Sequence, residues 1–396
     1  MHYFLPLLER EGIRLHYSRT LDIMLSHDIA DLGETHAESG IQKTSEQRKI
    51  EATKAAHIFN DLPRAGNFNH ALFEAYAEYL GQETREARFV RALNGLETMF
   101  YVLSRAPDTR ARLVGGRGYA LEDYRERIAS FCREFPPLWK HYIRLERLFR
   151  LNKYFADSRV YRDQIPRPEI LKKLFLDKAP KFETGSSIDV GEEIERLLRF
   201  QHFKRELRFG KMKKAPGEHH DTVTEHVALL LFLTRYFLTV VKKDTRQPEA
   251  ENISLRHTIE TVLVHDASEA ITGDMVTYRK TEKNAQEEWD AAADIASDLA
   301  PRAGNFNEKF WELHEKYELD RTKPPSPEIP WFVKICDRLE AEMYKFDRET
   351  RAKISNMKMV PIQDVYEKAK PELLQFPILL EYFETSMRKS QEEGVS

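Results

Sequence analysis

The sequence predicts a mainly α protein built from two tandem helical domains, and three observations carry that expectation. Apolar residues recur three and four apart through long runs such as "FEAYAEYLGQETREARFVRALNGLETMFYVL" and "AQEEWDAAADIASDLA", with Gly and Pro between the runs. No convincing set of alternating strands accompanies them, which leaves room for a minor β element at most. The heptapeptide "PRAGNFN" occurs twice, at Pro63–Asn69 and Pro301–Asn307, so the chain repeats itself.

Taken in order, the elements support a tandem duplication. "HDIADLGE" (His27–Glu34) precedes the first heptapeptide as "HDASEAITGD" (His265–Asp274) precedes the second. Downstream, "LFEAYAEY" answers "FWELHEKY", "FVRALNGLETMFY" answers "FVKICDRLEAEMY", and "LEDYRERIASFCREFPPL" answers "IQDVYEKAKPELLQFPIL". Residues 1–155 form copy one and residues 194–396 copy two. Between them, residues 156–193 have the Pro, Gly and Ser punctuation of a connection, with room for one helix.

At 396 residues the chain is long enough for two packed cores. Charged residues make up 32% of it but nearly cancel, to a net charge of -3, so no overall field favours a nucleic-acid polymer or an anionic membrane. The N-terminal "MHYFLPLLEREG" carries charge too early for a secretory signal, and "VALLLFLTRYFLTVV" falls short of a bilayer span; the expectation is a cytoplasmic protein. Cys132 and Cys336 supply neither a disulfide framework nor a thiolate metal site, so metal chemistry here must use His and carboxylates.

Copy two carries such a set. His226 lies in "TVTEHVALLLFL", His265 and Asp266 in "VLVHDASEAITGD", and Asp337 in "FVKICDRLEAEMYKFD". Adjacent residues on a helix diverge by about 100°, so His265 and Asp266 can share one ion only from a helix end or a tight crossing. Two imidazoles and two carboxylates suit a divalent cation such as Mn, Co, Fe or Zn, and leave positions for water and substrate. Taken singly, a histidine on an apolar face is more often a core residue than a ligand. The joint pattern, with His226 39 residues before His265 and Asp337 71 after Asp266, reverses those odds because it matches that of a known family.

On these residues copy two, from Ile194 to Glu384, resembles the HD-domain metal-dependent phosphohydrolases, whose signature is His, His-Asp, Asp. The wording "HDASE" followed by "TGD", and the acid Glu225 before His226, resembles the bacterial 5′-deoxynucleotidase branch. The resemblance implies His226, His265, Asp266 and Asp337 as ligands of one divalent metal ion (Mn, Co, Fe, Zn or Mg), with Glu269 and Asp274 beside them as catalytic groups. Glu269, four residues after His265, is expected on the same helical face, where a carboxylate can orient or deprotonate water.

The resemblance further implies Arg208 for phosphate and Phe209 for the base, with Lys211 or Lys213 as alternatives for the cation, and Lys280 as a second phosphate partner. His219 and His220 stand near the mouth of the site without being expected as ligands, and His314 is the only histidine between Asp266 and Asp337, which favours a single metal. The expected reaction is hydrolysis of a 5′-(deoxy)nucleoside monophosphate to nucleoside and phosphate, acting on a small-molecule nucleotide and not on a nucleic acid polymer or a membrane. The alternatives are an HD-type nucleoside triphosphate or alarmone hydrolase, or a nucleotide-binding regulatory or scaffold protein.

Copy one keeps His27–Asp28, Asp31 and Gly33–Glu34 but has Asn94 where copy two has Asp337, and only His2, 25 residues upstream, as a candidate first histidine. A neutral amide is a weak substitute for a carboxylate on a divalent cation. Copy one therefore reads as a degenerate HD domain. The branch is commonly homodimeric, so a packed pseudo-dimer within one chain is expected, either as a monomer or as part of a homo-oligomer.

Overall fold

A computed structural model describes residues 1–29, 45–104, 128–151, 169, 172–173, 176–177, 223–272, 281–298, 306–320, 323–346 and 362–392. All regular structure among the described residues is helical, as the three-and-four spacing predicts. The chain divides into two compact units, the first comprising Met1–Asn60 and His70–Phe182, the second Asp61–Asn69 and Glu183–Ser396. No helix among the described residues is long and apolar enough to cross a membrane.

Through the first unit run α1 (Leu5–Arg10), α2 (Tyr17–Ser26), most of α3 (Ser45–Asp61) and α4 (Phe68–Gly81), α5 (Arg85–Ser104) and α6 (Pro136–Leu151). His16 caps α2 by accepting the Arg19 N–H at 3.2 Å. Pro136 opens α6, where its fixed φ suits the first turn and no donor is lost. The preceding Phe135 is fully buried edge-on against Phe89 of α5, ring centroids 5.4 Å apart.

The second unit contains α7 (Val223–Val241), α8 (Leu255–Val264), α9 (Glu269–Thr272), α10 (Glu282–Asp298), α11 (Phe306–Asp320), α12 (Ile329–Phe346), α13 (Ile362–Leu373) and α14 (Pro377–Glu392). Helix α7 is apolar on most of its circumference, and Leu230, Leu233, Tyr236, Phe237 and Val240 are all buried, which makes it the central helix. It packs against α8, α12 and α14, while α8 and α12 also pack on each other. The start of α7, the end of α8 and the middle of α12 are thereby brought together, which is what positions the site. Pro377 opens α14 as Pro136 opens α6, and Phe376 lies against Phe332 of α12 at 5.3 Å.

The first "PRAGNFN" belongs to the second unit. Its Phe68 packs edge-on against Phe232 and Tyr236 of α7 at 5.2 and 5.3 Å. Gly66 and Asn67 both adopt left-handed backbone, φ 67° and 61°. A Cβ at Gly66 would lie 2.5 Å from Thr239 Cγ2, so this turn requires glycine for its φ and for its close approach to α7.

Candidate metal centre

Helix α8 starts at a Ser254 cap, whose hydroxyl accepts the His257 N–H, and ends at Val264 with His265 as the C-cap. The reason for the stop is local. His265 Nδ1–H donates to the Val262 carbonyl at 2.7 Å, and that carbonyl is the one the Asp266 N–H would take in a continuing helix. With the helix ended there, the two neighbouring side chains turn towards the same place, and Asp266 Oδ2 lies 3.1 Å from His265 Nε2.

The other members arrive from α7 and α12. His226 Nε2 lies 3.4 Å from Asp266 Oδ2 and 3.3 Å from Asp337 Oδ1. The two imidazole centroids are 5.6 Å apart. His226, His265 and Asp337 each offer one ligand atom, and these atoms lie within 4.8 Å of one another. Side-chain exposure rises from 1% at His265 through 19% at His226 and 25% at Asp266 to 37% at Asp337, so the cluster is closed behind His265 and open to solvent on the Asp337 side. Tyr317 of α11 closes the back, edge-on to His265 at 5.8 Å.

Hydrogen bonding fixes both imidazoles in one sense. A backbone carbonyl can only accept, so His265 carries a proton on Nδ1 and turns its Nε2 to the cluster. Asp266 Oδ2 is close to that nitrogen but off its axis, and the buried Nε2 makes no hydrogen bond. On the far side of His226, Nδ1 meets Glu340 Oε2 at 3.2 Å, which turns His226 Nε2 towards Asp266 and Asp337. Two ring nitrogens and two carboxylates thus face one another, an arrangement that calls for positive charge between them, as ring protons or as a metal ion.

The electrostatics agree. Burial by itself would lower the pKa of His226, but Asp266, Asp337 and Glu340 overcome it and push the imidazole up to about 12. Burial likewise opposes charge on His265, yet Asp266 beside it raises its pKa. Burial would raise Asp266, and the two imidazoles instead hold it well below the usual carboxylate range. A proton on the imidazoles serves where an ion is absent. The donor set of imidazole nitrogen and carboxylate oxygen fits a divalent cation, and it is held from behind by Glu340 and the Val262 carbonyl.

The structure brings His226, His265, Asp266 and Asp337 together. It revises the expectation for Glu269: because α8 stops before His265, Glu269 begins the separate helix α9 and does not share a continuous helical face with His265. Asp274, Arg208, Phe209 and Lys280 lie outside the described residues, as do Lys211, Lys213, His219 and His220. His314 is buried, and its Nδ1–H donates to the Val264 carbonyl at the C-terminal end of α8. Glu340 was not singled out from the sequence. Its only sequence signal is its place three residues after Asp337, on the same face of α12.

Among the described residues, the first unit repeats the corner without the rest. His27 is the C-cap of α2, its Nδ1–H donates to the Met24 carbonyl at 2.6 Å, and its Nε2 lies 3.2 Å from Asp28 Oδ2. Tyr79 stands against His27 at 5.5 Å as Tyr317 stands against His265. Asn94, however, donates to the Tyr79 hydroxyl at 3.4 Å, and Arg91 donates to the same oxygen at 2.7 Å. His2 lies against Tyr17, at the opposite end of α2 from His27, about 15 Å of helix away. Asp31, Gly33 and Glu34 lie outside the described residues.

A helical unit that turns two imidazoles and the Asp337 carboxylate onto one point beside Asp266, closed behind and open in front, can hold a divalent cation. The chain belongs to the HD domain family: the family's model matches residues 3–115 and 204–377, and HD domains as a class are phosphohydrolases that bind divalent metals. No curated protein and no solved structure matches the chain.

Proposed function

We propose that the second unit hydrolyses 5′-nucleoside monophosphates, deoxynucleotides among them, to nucleoside and inorganic phosphate. The observation that carries the reading is the convergence of His226 Nε2, His265 Nε2, Asp266 and Asp337 on one partly open point. A divalent cation held by these four residues would lower the pKa of a water molecule and withdraw charge from the phosphoryl oxygens. The imidazoles stay oriented through their Nδ1–H bonds, and the exposed edge of Asp337 leaves an approach for substrate.

The remaining roles rest on the match of "HDASE" and "TGD" to the 5′-deoxynucleotidase branch. Glu269 and Asp274 take up the proton of the attacking water and return one to the departing 5′ oxygen. Arg208 and Lys280 neutralise phosphate, and Phe209 stacks on the base. The first unit is read as a degenerate copy that serves as scaffold. Support comes from the repeated His-Asp corner, the Phe89–Phe135 and Phe332–Phe376 pairs at matching positions, and Asn94 in place of Asp337.

A panel of nucleoside mono-, di- and triphosphates and a guanosine alarmone, each with Mn²⁺, Co²⁺ and Mg²⁺, tests the proposal. Inorganic phosphate is expected from monophosphates. Release of pyrophosphate or triphosphate alone, or turnover that survives complete removal of metal, would overturn it.

A further inference from the structure

We infer that Glu340 is the positioning residue of the metal centre, holding His226 in the one tautomer whose Nε2 lone pair faces Asp266 and Asp337. The inference rests on reading the His226, His265, Asp266 and Asp337 cluster as a metal site.

A neutral imidazole has one proton for two nitrogens, and the nitrogen that faces an ion is decided by what the other one bonds. His265 solves this at a helix end, where the Val262 carbonyl is free to accept from Nδ1. His226 lies inside α7, and what meets its Nδ1 is not a carbonyl of its own helix but a side chain from another. Glu340 supplies it: its Oε2 is 3.2 Å from His226 Nδ1, and its side chain is only 5% exposed. A buried carboxylate is costly unless paired, and the imidazole is one partner beside it.

Glu340 also ties orientation to ligation. It lies three residues after Asp337, so α12 delivers the carboxylate that faces the ion and the carboxylate that aims the opposite imidazole from one face. The first unit provides an internal contrast. Glu97 follows Asn94 at the same spacing, but it is exposed, and His2 lies against Tyr17. Where no ligand occupies the Asp337 position, the acid three residues on is not buried.

The test uses the full-length chain and Zn²⁺ as the probe, with affinity read by competition against a chromophoric chelator. Ring protonation is read from ¹⁵N-labelled histidines in the Zn²⁺-loaded protein. In wild type, His226 should carry its proton on Nδ1. Glu340→Leu should weaken Zn²⁺ binding about 10- to 100-fold and remove that single-tautomer signature. Glu340→Gln, whose amide oxygen can still accept, should restore most of the loss and keep the signature. Zn²⁺ binding and ring signals unchanged in Glu340→Leu overturn the inference, as do equal losses in both variants with the Nδ1–H signature intact. If Glu340→Leu does not fold, Glu340→Gln decides alone: the Nδ1–H signature supports the inference, and its absence overturns it. A wild-type chain that binds Zn²⁺ but releases no phosphate from any nucleotide would sink the hydrolase reading and leave this one standing.

Discussion

His265 has to end a helix and present a ligand nitrogen at once, and one hydrogen bond does both. Its Nδ1–H occupies the Val262 carbonyl, which stops α8 and turns Nε2 to the cluster. The groups around that nitrogen call for positive charge, so removing one carboxylate should weaken metal binding without disturbing the helices. Asp337→Asn, which writes the first unit's Asn94 into the second, is expected to lower metal affinity more than about 100-fold, since even residues behind the ligands cost 10- to 100-fold. Metal content after dialysis, with far-ultraviolet circular dichroism as the control for folding, is the measurement. That the four cluster residues lie together was legible through the resemblance, since the order His, His-Asp, Asp is the signature of the HD-domain phosphohydrolases. Glu340 was not, since by spacing alone it resembles any acid on a solvated helix face, and only its burial beside α7 sets it apart. Glu269 was placed on the wrong helix because the carbonyl taken by the His265 ring does not show in the sequence.

At the scale of elements, the Phe-Pro junctions fix how the long helices meet. Phe376 is fully buried against Phe332, so Phe376→Ala should cost about 3–5 kcal/mol, seen as a lower denaturant midpoint with little change in slope. In the first unit, Arg88 on α5 grips Glu134 just before α6 with two hydrogen bonds, Nε to Oε2 at 2.6 Å and Nη2 to Oε1 at 2.9 Å. Those hydrogen bonds outweigh the desolvation that opposes them and hold the Glu134 carboxyl below its ordinary pKa. A depressed folded pKa means that the stabilisation is fully present above the unfolded value of about 4.3 and is lost as pH falls through the folded one. Glu134→Gln should therefore destabilise by about 1 kcal/mol at pH 7, a figure kept small because the pair is partly solvated. The difference from wild type should shrink towards zero as unfolding is measured at progressively lower pH; a constant difference would sink the argument. The helices themselves were legible from apolar spacing. The double left-handed turn at Gly66 and Asn67 was not, because it answers to the approach of Thr239 from a distant stretch of chain.

For the whole molecule, two units carrying the same His-Asp corner raise the question of how many ions one chain binds. The corner alone does not decide it, since His27 and Asp28 reproduce the local geometry of His265 and Asp266. What differs is the surroundings. In the first unit Asn94 replaces a carboxylate and turns to Tyr79, while the Arg91 guanidinium already bonds the same hydroxyl and lies 5.5 Å from that ring's centroid. A fixed positive charge near the His27 corner and a neutral amide in the ligand position both disfavour a divalent cation. The expected stoichiometry is one ion per chain. In a calorimetric Zn²⁺ or Mn²⁺ titration, His27→Ala should leave that value unchanged and His265→Ala should abolish the tight site. At a free-metal concentration one hundred times the dissociation constant, occupancy of a single site stabilises by about 2.7 kcal/mol. The His265→Ala chain should lose that increment while His27→Ala keeps it, so thermal unfolding with and without metal gives a readout independent of turnover. Two equivalents bound by wild type, or an increment lost in His27→Ala, would show that the first corner is a working site.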